Sequence, residues 1–285
     1  MHADYLLNVN EHTVSVFGST GFIGSHFVNF SKNPVAAMKR DDRQSLTRRI
    51  IYFIGTNHNY NVLENYLLDV QVNLVHFLEV LNASRTLHKE LEINFVSSWF
   101  VYGDGEIPYK ESQHCNPKGF YSITKYTAEM LLQSYCRTFG LNFRIIRLGN
   151  VFGPGDKNAS SKKNALQFLV KRIQNNERID LYEGGEIIRD FIHVTDVVQG
   201  LDLILNESAL NQIYNLGSGV PTNVGKLLKE FAKETNSESL INSKATPEFH
   251  KMVQVKDAYL DTEKIRSLGF KIIRPISPQA LKDLL

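Results

Sequence analysis

Short apolar runs alternate along the chain with longer segments in which apolar residues recur every three or four positions. The runs have the length and the β-branched or aromatic content of buried strands, whereas the longer segments have the period of amphipathic helices. The runs interpreted as strands are residues 13–17, 34–38, 50–54, 95–98, 143–148 and 213–216. Helical periodicity covers residues 25–33, 59–91, 121–138 and 224–234. This alternation predicts an α/β fold built on a Rossmann-like, doubly wound parallel sheet.

A glycine-rich turn follows the first predicted strand at once. Gly18-Ser-Thr-Gly21-Phe-Ile-Gly24 stands between that strand and a helical pattern. In such a turn the backbone N–H groups approach a pyrophosphate at the positive end of the helix. The spacing is G-x-x-G-x-x-G, which also occurs in turns that only pack a helix against a strand. Its place in the chain favours a dinucleotide site made by Gly18, Thr20, Gly21, Phe22, Ile23 and Gly24.

The end of the second predicted strand carries charged residues that bear on the choice of cofactor. Lys39 and Arg40 stand where an NADP site has a cation for the 2′-phosphate, and Asp41 follows them. An NAD site instead places an acidic residue there, so a shift of two residues would favour NAD(H). The count along the strand favours NADP(H) over NAD(H).

The third predicted strand begins only about ten residues after Arg40, at Ile50. A full doubly wound sheet would fit another helix and strand into this interval. The sequence therefore predicts a Rossmann-like sheet with a shortened region here. Gly55 and Thr56 end the third strand at the edge where cofactors bind, so we expect both to contact the cofactor.

Tyr121 and Lys125 are spaced i and i+4 on a predicted helix, so both side chains face the same space. A neighbouring ammonium favours the phenolate, and a Ser hydroxyl shares the proton or holds a substrate oxygen. Ser98, at the end of a buried strand, is the candidate for that hydroxyl. The trio suits proton transfer to or from an alcohol during hydride transfer. Y-x-x-x-K also arises by chance on surface helices, so the pattern needs support from the rest of the chain.

Composition and charge narrow the classes of function. The chain is 42% hydrophobic and 22% charged, with a net charge of +2, and gives no sign of nucleic-acid or membrane-surface binding. Its N-terminus lacks the pattern of a signal peptide, and Cys115 and Cys136 suggest a reducing compartment. We therefore expect a cytoplasmic protein. No Cys/His cluster has ligand spacing, so we expect no structural metal.

Six motifs occur in one order between Thr13 and Gly219. They are G-x-x-G-x-x-G, S-S-x-x-V-Y-G, Y-x-x-x-K, R-L-G-N-V-F-G-P, R-D-F-I-H-V and Y-N-L-G-S-G. Together they are far more specific than any one of them. The set resembles the extended short-chain dehydrogenase/reductase family, and within it the branch of epimerases, dehydratases and reductases that modify nucleotide-diphosphate sugars.

The resemblance implies roles for residues at matching positions. It implies that Ser98, Tyr121 and Lys125 are catalytic, with Lys125 also on the nicotinamide ribose. It further implies that Asn150 and Arg189 bind the substrate diphosphate. Asn164 and Leu166 fall near the region that binds the base and sugar phosphate.

The departures from the family pattern are also informative. Dehydratases of the family follow the catalytic Ser or Thr with an Asp-Glu pair, but this chain has Trp99 and Phe100, which argues against 4,6-dehydration. The shortened segment removes the strand that usually contacts adenine. Phe17 stands where a Thr commonly precedes the glycine turn.

Two enzyme activities remain open, because both use Ser98, Tyr121 and Lys125. In one, NADPH reduces the keto group of a nucleotide-linked 4-keto-(6-deoxy)sugar for surface-polysaccharide biosynthesis. In the other, bound NAD⁺ takes hydride from C4 and returns it to the opposite face, as in a UDP-glucose 4-epimerase. Lys39 and Arg40 favour the reductase. A non-catalytic NAD(P)-binding scaffold is a third hypothesis, disfavoured because the trio is intact.

The order of motifs predicts two domains. Residues 1–153 form an NAD(P)-binding Rossmann domain, to which the strand and helix around 189–206 return, and residues 154–285 form a smaller α+β domain for the nucleotide sugar. Relatives in the family pair helices into a four-helix bundle, and by analogy the helices around 65–82 and 121–138 would form a homodimer here.

Overall fold

A computed structural model describes residues 10–156 and 159–284. The N-terminal segment that bears on the signal-peptide expectation lies outside these ranges. Strands and helices are numbered along the chain. The central sheet is wholly parallel and has the order β10-β5-β4-β3-β1-β2. Its strands are β1 Val14–Phe17, β2 Val35–Ala37, β3 Arg49–Tyr52, β4 Glu92–Ser98, β5 Asn142–Leu148 and β10 Gln212–Leu216.

The remaining strands form three two-stranded sheets. β6 pairs with β9 and β7 with β12 in parallel, whereas β8 and β11 are antiparallel. Their bounds are β6 Asn150–Phe152, β7 Ile179–Tyr182, β8 Ile188–Arg189, β9 Phe191–His193, β11 Thr222–Asn223 and β12 Ile241–Lys244.

Helices connect these strands. Their bounds are α1 Phe22–Phe30, α2 Leu68–Val70, α3 His76–Leu87, α4 Phe120–Phe139, α5 Ala165–Gln174, α6 Val194–Glu207, α7 Val224–Glu234, α8 Glu248–Val253, α9 Glu263–Arg266 and α10 Pro278–Leu281. A π-helical turn, Gln71–Val75, joins α2 to α3. The predicted helix over 59–91 is therefore wrong at both ends. A short 3₁₀ turn at Asn61–Leu63 and a loop precede α2, and α3 already ends at Leu87.

Alternating side chains of the sheet build a core on each face, which confirms the doubly wound fold. Val16 and Ile51 pack with α1 and with α6, whose Val198 and Leu201 lie in the same cluster. On the other face, Tyr52 packs with residues of α3 and α4. The helix around 189–206 thus packs on the central sheet, although in the sequence it comes after β6, α5 and β7, which lie outside that sheet. A third cluster lies between α5 and α7.

The shortened region between β2 and β3 is an irregular segment, as the sequence predicted. The hydroxyl of Ser15, buried in β1, accepts hydrogen bonds from the backbone N–H groups of Leu46 and Thr47 at 3.1 and 3.0 Å. The backbone N–H of Ser45 donates to the Ser84 hydroxyl of α3 at 3.0 Å. Side-chain hydroxyls therefore satisfy the backbone groups that a strand and a helix would have paired internally.

Candidate active site

The glycine turn joins β1 to α1. Its three glycines differ in their backbone conformation and in the space available for a side chain. Gly18 has φ +84°, a conformation that L side chains rarely adopt. A Cβ on Gly24 would lie 2.1 Å from the Gly18 carbonyl oxygen, so the helix approaches the turn too closely for any side chain. Gly21 has an ordinary φ of −72° and precedes α1 without a side-chain cap. The first amides of α1 are consequently left without side-chain partners at the helix N-terminus.

Three further residues predicted to bind the cofactor lie in this turn or in the start of α1. Thr20 is exposed, and Phe22 and Ile23 are half-buried in the first turn of α1. The Ser19 hydroxyl donates to the Met38 carbonyl at 3.0 Å, which ties the glycine turn to the end of β2.

Lys39 and Arg40 follow Met38, and both are exposed. The backbone N–H of Lys39 donates to Asp42 Oδ2 at 2.7 Å. Two cationic side chains therefore stand beside the glycine turn at the end of β2.

Ser98, Tyr121 and Lys125 meet at the carboxyl edge of the sheet. Ser98 is the last residue of β4, and Tyr121 lies in the first turn of α4, one turn before Lys125. The Ser98 hydroxyl oxygen accepts the backbone N–H of Phe100 at 3.3 Å, and the Ser98 side chain is close enough to Tyr121 to influence the pKa of the phenol. Lys125 Nζ donates to the Val96 carbonyl at 2.7 Å. The structure thus brings together the three residues that the sequence singled out.

Burial controls the electrostatics of this trio. Desolvation raises the pKa of Tyr121 to about 12, although the hydrogen bond from Ser98 works in the opposite direction. Desolvation lowers the pKa of Lys125 to about 7, opposed by the nearby carboxylate of Glu129. Burial is therefore the largest influence on the pKa of Tyr121. With its pKa raised in this way, the phenol is protonated at neutral pH and suited to donate a proton.

A buried ion pair that the sequence analysis missed lies one helical turn beyond Lys125. Arg147 of β5 donates to Glu129 of α4, with Nη2 2.7 Å from Oε2, and the Ser97 hydroxyl also bonds Glu129. Glu129 is fully buried and Arg147 nearly so. The signal that would have found this pair is a charged residue inside the apolar run of β5, which requires a partner.

A second missed network surrounds Gly55 and Thr56. Asp69 is fully buried and accepts hydrogen bonds from Thr56 Oγ1 and from Asn61 Nδ2. Asn73 lies in the π-helical turn, and its Nδ2 donates to Thr56 Oγ1 at 2.8 Å and to Thr124 Oγ1 of α4 at 2.9 Å. A Cβ on Gly55 would lie 3.7 Å from Lys125 Nζ. The network therefore fixes the segment after β3 beside α4.

A pocket of about 1020 Å³ is lined by four of the five residues expected to bind substrate. The fifth, Ser98, is not part of its lining, although the adjacent Trp99 and Phe100 are. Seven Lys or Arg side chains and three Asp or Glu side chains line it, so it suits an anionic ligand. Asn150, Asn164, Leu166 and Arg189 all line this pocket. Within the described ranges, no three His, Cys, Asp or Glu side chains converge as metal ligands do.

The two asparagines are held by the chain itself. The backbone N–H and Nδ2 of Asn150 both donate to the Asp190 carbonyl, at 2.8 and 3.1 Å. Asn164 precedes α5 in the left-handed conformation, with φ 51°, and its Nδ2 donates to Asp156 Oδ2 at 3.0 Å. Both residues are therefore fixed at the pocket wall before any ligand arrives.

Arg189 is a cation with backbone partners. Its guanidinium donates to the carbonyls of Ile188 at 2.8 Å, of Val255 at 2.9 Å and of Lys256. Desolvation lowers its pKa to about 10, and the nearby carboxylate of Asp257 partly offsets this. Arg189 is half-buried, and the backbone carbonyls that hold it carry no net charge, so its guanidinium still favours an anionic ligand.

Aromatic rings connect Arg189 to Tyr121. The Arg189 guanidinium carbon lies 5.3 Å from the centre of the Trp99 ring, and Trp99 stacks on Phe100 at 3.9 Å. Phe100 in turn stands edge-on to Tyr121, with ring centres 5.9 Å apart. Both aromatic residues also line the pocket, so they form its wall between the cation and the phenol.

Comparison with known proteins gives consistent results. A putative UDP-glucose 4-epimerase of Methanocaldococcus jannaschii is 26% identical over 214 residues, covering 74% of this chain and 67% of the relative. An ADP-L-glycero-D-manno-heptose-6-epimerase of Brachyspira hyodysenteriae is 27% identical, covering 75% and 65%. The chain thus spans about two thirds of the length of these curated relatives.

Solved structures show the same fold. The NADPH complex of RMD from Pseudomonas aeruginosa superposes with a TM-score of 0.82 at 21% identity, covering 95% of this chain and 97% of that one. The NAD complex of UDP-glucose 4-epimerase from Thermus thermophilus gives a TM-score of 0.81 at 21% identity, with the same coverage of both chains.

The family model for the NAD dependent epimerase/dehydratase family matches residues 50–217, which is more than half of the chain. This match confirms the resemblance that the ordered motifs indicated. The chain therefore belongs to the NAD dependent epimerase/dehydratase family, a family of nucleotide-sugar enzymes of the extended short-chain dehydrogenase/reductase type.

Proposed function

We propose that the protein is an NADPH-dependent reductase that acts on the 4-keto group of a nucleotide-diphosphate sugar. The convergence of Ser98, Tyr121 and Lys125 beside a cationic pocket supports redox chemistry on a nucleotide sugar. The choice of a reductase rests on the exposed cations Lys39 and Arg40 at the end of β2. The carbonyl carbon accepts a hydride while Tyr121 gives its phenolic proton to the carbonyl oxygen, which yields the alcohol. The Ser98 hydroxyl holds the same oxygen.

The residues around the glycine turn fit a dinucleotide. Gly18 and Gly24 bring the backbone of the turn and of α1 so close together that no side chain covers the helix N-terminus. In this proposal the first amides of α1 hold the pyrophosphate, and Lys125 Nζ, which lies beside Gly55, contacts the nicotinamide ribose. A reduced nicotinamide bound there supplies the hydride.

The pocket supports a nucleotide-diphosphate sugar as substrate. Arg189 presents a desolvated guanidinium, and the excess of cations along the wall complements two phosphates. In this proposal Asn150 also contacts the diphosphate, and Asn164 and Leu166 lie toward the base. An alcohol product of this kind suits the biosynthesis of surface polysaccharides.

Lys39 and Arg40 support NADPH over NADH. Both are exposed at the end of β2, which the Ser19 hydroxyl joins to the glycine turn. Charge-assisted hydrogen bonds to a 2′-phosphate would make NADPH bind roughly 10- to 100-fold more tightly than NADH.

The experiment is to purify the protein, identify any cofactor released on denaturation, and titrate the emptied protein with NADPH and NADH. We expect little retained cofactor and a clear preference for NADPH. Lys39→Ala and Arg40→Ala should reduce that preference. Lys89→Ala serves as the control and should leave it unchanged, because this exposed lysine precedes β4, at the amino ends of the parallel strands and not at their carboxyl ends. Stoichiometric bound NAD⁺ would refute the proposal.

The second candidate is an NAD-dependent 4-epimerase, favoured by the relatives and solved structures that carry that name. It uses the same trio, but hydride leaves C4 and returns to the opposite face of the same sugar. Retained NAD⁺ together with interconversion of C4 epimers would establish it.

We also propose that the protein is a cytoplasmic homodimer. Tyr66, Leu67 and Val70, around the start of α2, and Ile123 and Met130 of α4 are exposed apolar side chains. Pairing of these helices between two copies would cover them. Within the described residues, no helix has both the length and the apolar character needed to cross a membrane. Light scattering of the purified protein tests the dimer.

A further inference from the structure

The wall formed by Trp99 and Phe100 is fixed from behind. Trp99 is only 3% exposed and packs in an apolar cluster with Val101, Tyr102 and Val255. The backbone N–H of Phe100 is bound by the Ser98 hydroxyl. The Trp99 ring cannot move away from the pocket without opening this cluster, and the half-buried Phe100 ring stacks on it, so the tightly packed cluster supports the wall from behind.

Both ends of the wall are groups that would hold the substrate. At one end, three backbone carbonyls fix the Arg189 guanidinium beside the Trp99 ring. At the other end, the ring of Phe100 stands edge-on against Tyr121. A sugar that reaches from an anchored diphosphate to the phenol must therefore lie along this wall.

A 4-epimerase has a steric requirement that a reductase lacks. Hydride leaves C4 from one face and must return to the other, while the cofactor stays in place. The keto sugar must therefore rotate by about half a turn around the bonds that link it to the diphosphate. This rotation needs a pocket at least as wide as the sugar ring. A reductase presents one face only and needs no such clearance.

We propose that Trp99 and Phe100 are specificity-determining residues that hold the sugar in one orientation, so that hydride reaches only one face of C4. This inference rests on the proposed function, because it assumes a nucleotide sugar at the pocket. It assigns the two residues that replace the acidic pair of the dehydratases a role in the stereochemistry of the product.

The first test is a binding measurement that needs no turnover. Trp99 is the only tryptophan of the chain, so its fluorescence reports occupancy of the pocket. UDP-glucose and UDP-galactose, which differ only at C4, serve as probes. In the wild type we expect one epimer to bind at least roughly tenfold more tightly, because the ring cannot turn to accommodate the other. Phe100→Ala should bring the two affinities close together, whereas Phe100→Tyr, which keeps the ring, should preserve the ratio.

The second test is the stereochemistry of reduction. With a nucleotide-linked 4-keto sugar and NADPH, the wild type should give a single C4 epimer, and Phe100→Ala should give both. Thermal melting checks that the variants are folded. Equal affinities in the wild type, or a folded Phe100→Ala variant that keeps the full affinity ratio and a single product, would overturn the inference. Interconversion of C4 epimers by the wild type would overturn it as well. If no 4-keto sugar supports NADPH oxidation, the proposed reductase activity is refuted. The ratio of the affinities for UDP-glucose and UDP-galactose then tests the role of Trp99 and Phe100 by itself.

Discussion

The glycine turn leads to a prediction that separates protein stability from cofactor binding. The motif treats its three glycines alike, but the structure shows that Gly24 serves helix packing and Gly21 does not. A Cβ on Gly24 would lie 2.1 Å from the carbonyl oxygen of Gly18, whereas a Cβ on Gly21 would lie 3.3 Å from the same oxygen. Gly24→Ala must therefore push α1 away from the turn by more than about 1 Å to reach ordinary contact distances.

The expected magnitudes follow from this difference. Overpacking of this kind costs about 1–3 kcal/mol, and each kcal/mol lowers Tm by roughly 2–4 °C in a chain of this size. Gly24→Ala should therefore lower Tm by several degrees. Gly21→Ala has a φ of −72° and needs a shift of only a few tenths of an ångström, so its Tm should stay close to that of the wild type.

Cofactor affinity should separate the variants differently. Gly21→Ala places a methyl group at the exposed start of α1, where the pyrophosphate would approach, so it should weaken NADPH binding in a protein of nearly normal stability. The measurements are calorimetric melting without cofactor and fluorescence titration with NADPH. A Gly21→Ala variant as unstable as Gly24→Ala would refute the packing argument, and unchanged NADPH affinity in both would refute the cofactor site.

Four other substitutions test the buried groups of the site. Tyr121→Phe removes the proton donor, so turnover should fall roughly 10²- to 10⁴-fold while the NADPH dissociation constant changes little, and undiminished turnover would exclude Tyr121 from the mechanism. Burial lowers the pKa of Lys125 to about 7 in the folded protein, so between about pH 7 and its ordinary pKa the unfolded chain binds more protons and this group makes stability rise with pH. Wild-type Tm should therefore increase from pH 7 to 9 relative to Lys125→Met, and a constant difference would contradict the lowered pKa. Glu129→Ala leaves the Arg147 guanidinium buried and unpaired, which should destabilise the protein by about 3–5 kcal/mol in urea denaturation. The double variant with Arg147→Met should recover part of that loss, and a single-variant effect below about 1 kcal/mol would show that the pair contributes little.

Local patterns in the sequence determined the elements that carry the chemistry. β1, the glycine turn and α1 are contiguous, and Tyr121 and Lys125 share one helix, so chain connectivity alone brings their groups together. The lost strand–helix unit was also predictable, because the interval after Arg40 is too short for it. By contrast, the ends of the helix predicted over 59–91 were wrong, since the π-helical turn and the loop before it depend on polar contacts with other elements.

The order of motifs was predictable, but the environment of each group was decided by contacts between distant parts of the chain. Burial on the packed sheet, rather than the neighbouring ammonium, dominates the pKa of Tyr121. The carbonyls that hold Arg189 come from residues 255 and 256 as well as from its own strand. Spacing along a sequence fixes which side chains can share one helix or turn. Only the tertiary structure determines how far each side chain is desolvated and which distant groups surround it. Desolvation and the surrounding groups together set the charge and the reactivity of the side chain.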